Sequence, residues 1–297
     1  MNRALLLVSI AMVAFAANSL LCRMALINTD IDPGLFTIVR LMSGAICLLI
    51  LVIITKQQSV PSNDSTPIKH SITSLITSHG TLWGAIALSI YAIAFSYAYV
   101  SLSTGTGALL LFGAVQLTMI AYGLLHRERF SALQWVGFMI AIGGVVTLLI
   151  PSATAPNPVA AMFMVIAGIA WGTYSLLGRK SNTPLLLTFG NFVYASLLLI
   201  PLAFWLWLSD AFHYDAEGVV YALLSGILAS GAGYAIWYSA LVLIRATTAA
   251  TVQLSVPVIA TFMGWALLSE PLTLQVVLAS GLTLGGISLV IRYGQKA

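Results

Sequence analysis

Arg40 lies inside an apolar stretch that opens at Pro33. A lone cation at such a depth costs about 2.5–3.5 kcal/mol on membrane-insertion scales, so it is expected to face a bundle interior or a wet cavity. Its planar donor fork would suit a carboxylate or phosphate. The alternative is a structural arginine that bonds helix-end carbonyls or snorkels to an interface. Asn18, Trp171, Tyr174 and Asn191 are further polar or amphipathic residues embedded in apolar runs. Each must find a partner there, which favours an inward orientation. Tyr91, Phe95 and Tyr99 recur every four residues, and Tyr234, Trp237 and Tyr238 form a similar cluster. An apolar wall with hydroxyl and indole handles fits a small amphipathic or aromatic solute. Helix packing or an interfacial aromatic belt is the other reading. Gln253 precedes Pro257 by one helical turn, and a proline there removes a backbone donor and creates a hinge candidate. Gln116 ranks lower, because alignment of the two halves of the chain puts it on a different face.

The elements that carry these residues follow from composition. Of 297 residues, 60% are hydrophobic and 7% charged, against about 25% charged in soluble domains. Soluble enzymes, nucleic-acid readers and disordered tails are thereby excluded, and no basic stripe supports a nucleic-acid partner. Apolar windows long enough to span a bilayer run 4–26, 33–55, 80–102, 104–125, 131–150, 158–178, 184–208, 217–240, 247–269 and 273–292. They predict an all-α integral membrane protein of ten transmembrane helices. The first window resembles a signal peptide, but Leu21 before Cys22, and Arg23 after it, favour a first spanning helix. Cys22 and Cys47 read as packing residues, and no metal or cofactor motif is visible.

Basic residues set the orientation. With the N-terminus inside, Arg3, Lys56, Lys69, Arg127, Arg129, Arg179, Lys180, Arg245, Arg292 and Lys296 all fall on the cytoplasmic side. Asp30, Asp32, Asp210, Asp215, Glu217 and Glu270 fall on the outer side. The positive-inside rule then makes both termini cytoplasmic.

The chain also reads as a duplication, with a first unit over 1–152 and a second over 153–297. Ser19-Leu20-Leu21-Cys22-Arg23 returns as Ser175-Leu176-Leu177-Gly178-Arg179, and Pro33 returns as Pro184. At an offset of 142 residues, Gly84 meets Gly226, Thr106 meets Thr248, Glu128 meets Glu270, and Gly143-Gly144 meets Gly285-Gly286. Five helices per unit is an odd number, so the second copy enters the membrane inverted. Inverted repeats place a binding site near the midplane and permit alternating access.

On Asn18–Arg23, Arg40-Leu41 and Ser269-Glu270-Pro271-Leu272-Thr273 leading into Gly281 and Gly285-Gly286, each half resembles the EamA domain of the drug/metabolite transporter superfamily. The first-half counterpart of the last motif, Arg127-Glu128-Arg129-Phe130-Ser131, lacks the proline. The resemblance implies an exporter-like carrier with a central cavity lined by helices 1, 3, 4, 6, 8 and 9. It names no substrate.

The expected function is a secondary transporter exporting small metabolites, such as amino acids or related amphipathic solutes, from a bacterial cytoplasmic membrane. A lipid or lipid-precursor translocase of the same architecture is the alternative. A membrane enzyme would need a nucleophile, metal cluster or paired carboxylates, none of which is visible. Partners are a small-molecule solute, the lipid bilayer and a possible homodimer through the Gly281–Gly285 face. No Asp, Glu or His lies centrally in a predicted span, which favours facilitated diffusion or exchange over proton antiport.

Overall fold

The computed structural model describes residues 3–58, 79–126, 130–150, 155–178, 181–210, 212–241, 243 and 252–293. Of the residues that orient the chain, Lys69, Arg127, Arg129, Arg179, Lys180, Arg245, Lys296 and the side chain of Lys56 lie outside the described set, as do Glu128 and Thr248 of the duplication.

The described chain is helical throughout: α1 (Arg3–Asn28), α2 (Pro33–Gln58), α3 (Leu82–Tyr99), α4 (Thr104–Leu125), α5 (Ala132–Leu149), α6 (Pro158–Gly178), α7 (Pro184–Leu208), α8 (Ala216–Ala240), α9 (Ser255–Leu268) and α10 (Leu274–Tyr293). Eight of them are long and apolar enough to cross a membrane; α5 and α9 contribute shorter apolar helices, Ala132–Leu148 and Ser255–Leu268. The described part of α9 begins at Ser255, after a turn at Leu254, and residues 247–251 of the expected span lie outside the described set. Pro257 therefore sits buried in the first turn of this helix, where its missing N–H is not needed.

Helix starts are written in local chemistry. Asp32 Oδ1 accepts from the Gly34 and Leu35 amides at 2.7 and 3.2 Å and caps α2. Thr81 caps α3, Ser103 caps α4, Asp215 caps α8, and Ser131 with Gln134 forms a capping box on α5. Two helices depart from regularity. The α7 run has a turn at Leu199 just before Pro201, and the middle of α8, Ser225–Ala232, is wound as a π-helix.

The main helix–helix packings are symmetric under exchange of the halves, α1 with α6 through α5 with α10. The exchange converts the α3–α6 contact into α8–α1, α4–α6 into α9–α1, and α2–α8 into α7–α3, and all six packings are present. The α5–α10, α4–α9 and α2–α7 contacts map onto themselves. Glutamines repeat the pattern: Gln134 Nε2 donates to Val290 O at the end of α10, and Gln275 Nε2 donates to Thr147, Leu148 and Ile150 carbonyls at the end of α5.

Glycine allows the closest crossings. A Cβ on Gly84 would stand 2.6 Å from Asn191 Nδ2, and one on its repeat mate Gly226 would strike Ser43 Oγ and the Arg40 carbonyl. By contrast, Gly143, Gly281 and Gly285 have nothing within 4 Å. The Gly281–Gly285 pair thus does not pack within the described bundle. The close α5–α10 contact runs through Gly137, Gly144 and Gly286 instead.

Large exposed side chains, among them Trp83, Trp205, Trp207 and Phe262, surround the bundle, as expected where the solvent is hydrocarbon.

Candidate functional site

One end of the bundle collects the described acidic residues. The Asp32 amide donates to His213 O at 3.0 Å, joining the α1–α2 and α7–α8 connections, which carry Asp30, Asp32, Asp210 and Asp215. The α9–α10 turn belongs to the same end. Ser269 there adopts a left-handed conformation (φ 53°), which ends α9 and folds Glu270 back over the start of α4.

Glu270 is then a bridge. Its Oε1 and Oε2 accept from the Thr104 amide at 3.0 and 2.8 Å, and its Oε1 stands 3.5 Å from Arg23 Nε. Arg23 Nη1 in turn donates to the Tyr99 and Val100 carbonyls at 2.8 and 2.9 Å. The carboxylate sits at a helix N-terminus and the guanidinium at a C-terminus, each at the dipole end that favours it. Together they clamp α1, α3, α4 and the α9–α10 turn. The sequence places both residues in repeat and family motifs and Glu270 on the outer side, but does not pair them.

Away from this clamp lies a cavity of about 610 Å³. It extends from mid-bundle to the opposite end, where Tyr122 of α4, Gly178 of α6 and Ile291 of α10 border it. Its inner wall is aromatic, and Trp171 is the hub. Trp171 stacks on Tyr234 (5.2 Å, 20°) and Tyr174 (5.4 Å, 28°) and tilts against Tyr91 (4.9 Å). Phe15 joins Tyr234 and Trp237 from α1 at 5.8 and 5.9 Å. Such pairs contribute about 0.5–1.5 kcal/mol each beyond area burial.

Polar groups are set into this wall. Asn18 Nδ2 donates to Tyr91 Oη at 3.2 Å, and Asn18 Oδ1 accepts from Ser225 Oγ at 2.6 Å, so one amide ties α1, α3 and the π-wound part of α8. A π-turn shifts helix register and often marks a functional site. Gln116 Nε2 and Tyr174 Oη are buried and have no hydrogen-bond partner. Among the described residues, no charged side chain lines the cavity.

The structure brings seven of the predicted residues to the cavity: Asn18, Tyr91, Trp171, Tyr174, Tyr234, Trp237 and Gln253. Arg40 is 1% exposed and does not line it. Its guanidinium carbon lies behind the wall, 5.4 Å from the Tyr91 ring centre and 4.9 Å from that of Phe95. Asn191 is also off the cavity: its Oδ1 accepts from the Thr81 amide at 2.8 Å, tying α7 to the start of α3. Pro257 borders no part of the cavity.

Gln116 and Phe15 line the site, and the sequence reading did not select them. Phe15 lies one turn before Asn18 on the same helical face, a spacing that could have found it. Gln116 was set aside because repeat alignment gave it a different face from Gln253. The cavity is not symmetric, however. It reaches one end only, where α4 finishes and α9 begins, so late α4 residues and the residue just before α9 meet on its wall.

The EamA-like transporter family matches residues 2–150 and 158–292, one match per half. An uncharacterized protein of Pseudomonas aeruginosa is 48% identical over 302 residues, covering 100% of this chain and 98% of that one. An uncharacterized transporter of Archaeoglobus fulgidus is 29% identical over 215 residues (70% of this chain, 75% of the other). The uncharacterized transporter YoaV of Bacillus subtilis is 24% identical over 267 residues, 87% of each. A crystal structure with 14% sequence identity superposes with a TM-score of 0.63 over 99% of both chains and shares the fold. With two matched units, apolar spanning helices and a cavity between the halves, this chain is a multi-pass membrane protein of the EamA-like transporter family.

Proposed function

We propose that the protein is a secondary carrier that exports small amphipathic solutes, such as amino acids or related metabolites, by alternating access. On this reading ten helices cross the membrane as two inverted five-helix units, 1–152 and 153–297, with both termini cytoplasmic. The membrane is the bacterial cytoplasmic membrane, and the conformation described is inward-facing. One observation carries the reading: a 610 Å³ cavity between the halves reaches one end of the bundle, while the Arg23–Glu270 clamp joins the helices at the other. Symmetric packing of the halves supplies the means, since rocking one unit against the other would exchange the open and closed ends. The cavity residues Asn18, Tyr91, Trp171, Tyr174, Tyr234, Trp237 and Gln253 would contact solute, and the start of α9 at Pro257 would serve as the hinge. The open Gly281–Gly285 face would suit a second copy of the chain.

The test is flux. Purified protein in liposomes is loaded with a panel of amino acids, aromatic metabolites and short-chain lipid headgroup analogues, and release is followed. Release of one water-soluble class, lost in Trp171→Ala and Trp237→Ala, is the expected result. Release of headgroup analogues alone would replace the metabolite carrier with a lipid translocase.

A further inference from the structure

Ring faces carry negative potential, so a cage of aromatic residues ordinarily attracts organic cations. This cavity has such a cage in Tyr91, Trp171, Tyr174, Tyr234 and Trp237. Directly behind it, however, lies a permanent positive charge. Arg40 is 1% exposed, and its Nε and Nη1 have no hydrogen-bond partner. Its guanidinium faces Tyr91 and Phe95 at 5.4 and 4.9 Å, and Tyr91 meets Trp171 at 4.9 Å on the cavity wall.

Nothing described neutralises that charge. Among the described residues, no carboxylate comes within ion-pair distance of Arg40; Glu270 pairs with Arg23, and the remaining acids stand at helix ends and connections. The polar groups facing the guanidinium include the Tyr91 hydroxyl and the thiol of Cys22, a free cysteine, and neither carries a charge that offsets it.

We infer that Arg40 is a specificity-determining residue that acts through the Tyr91–Phe95 wall without touching the solute. Its charge inverts the usual preference of the cage, so that the cavity accepts aromatic solutes that are neutral or carry a carboxylate and rejects organic cations. The inference rests on the cavity being the solute site. The unpartnered Gln116 Nε2 and Tyr174 Oη supply hydrogen bonds that orient the polar end of such a solute. A unit charge about 10 Å away, at an effective dielectric constant near 20, changes affinity by roughly tenfold in each direction of charge.

The experiment uses three probes of one shape: 3-phenylpropionate, 3-phenylpropanol and 3-phenylpropylamine. Their binding to the full-length protein in nanodiscs is measured by calorimetry at neutral pH. The expected order is propionate, then alcohol, then amine, with at least a tenfold gap between the first and last. Arg40→Met should narrow that gap to about twofold, and Arg40→Lys should largely keep it. A purely structural arginine would alter stability in both variants and leave the ratio unmoved, which overturns the inference. Should Arg40→Met not fold, the wild-type order still decides: an amine bound as tightly as the propionate, or no probe bound at all, overturns it. Carrier activity is judged separately by flux, so a correct charge order with no flux would sink the carrier reading and leave this one standing.

Discussion

Arg23 at the end of α1 and Glu270 in the α9–α10 turn stand 3.5 Å apart, and each also holds a helix terminus of a third element. Because both side chains are partly exposed, at 17% and 13%, the ion pair alone contributes about 0–1 kcal/mol. The bond from Glu270 to the Thr104 amide adds a helix cap, typically about 1 kcal/mol. Glu270→Ala should therefore lower stability by about 1–2 kcal/mol and favour opening of that end. Thermal unfolding measures the first effect. For the second, a Ser19→Cys reporter in a Cys22→Ser, Cys47→Ser background should react faster with a charged thiol reagent added from the acidic end. Unchanged labelling would mean that the clamp is not a gate.

Asn18 holds two buried hydroxyls at once, those of Tyr91 and Ser225. Asn18→Ala strands both, and each orphaned buried group costs about 1–3 kcal/mol. A marked fall in unfolding temperature should accompany loss of transport. A variant as stable as wild type would show that the two hydroxyls find other partners.

Trp171 touches three other rings, whereas Trp205 is 67% exposed on the bundle surface. Trp171→Ala should weaken solute binding at least tenfold. Trp205→Ala should leave binding unchanged and stability within about 0.5 kcal/mol. Equal effects from the two would place the binding site outside the cavity.

Glycine positions separate bundle packing from self-association. Gly226→Ala drives a methyl into Ser43 and the Arg40 backbone and should destabilise by about 1–3 kcal/mol. Gly285→Leu meets open space and should leave the monomer intact. If two copies meet on that face, the same substitution shifts a dimer to monomer in cross-linking or mass photometry. A dimer insensitive to it would locate the interface elsewhere.

Much of the architecture was legible in one dimension. Span positions followed from runs of apolar residues, because a bilayer demands about 20 of them per crossing and tolerates few charges. Duplication was visible in the recurrence of Arg23 as Arg179 and Gly84 as Gly226, and the exchange-symmetric packing agrees with it. Aromatic spacing on α3, α6 and α8 pointed to a wall, since helical periodicity alone sorts residues onto faces. Seven of the nine residues chosen as solute contacts do line the cavity.

What the sequence by itself determined, then, is which residues are buried in the membrane and on which helical face they lie, because these depend on local periodicity and on the cost of charge in hydrocarbon. Only the tertiary structure decided which buried polar groups reach the cavity. Arg40 and Asn191 satisfy the same one-dimensional criteria as Asn18, yet α2 and α7 stand behind α3 and α8, so their side chains serve the wall and not its surface. The cavity's reach toward one end, and the meeting of Arg23 with Glu270 at the other, depend on contacts between residues of the two halves that lie far apart in the chain. Such contacts leave no trace in the periodicity of either helix.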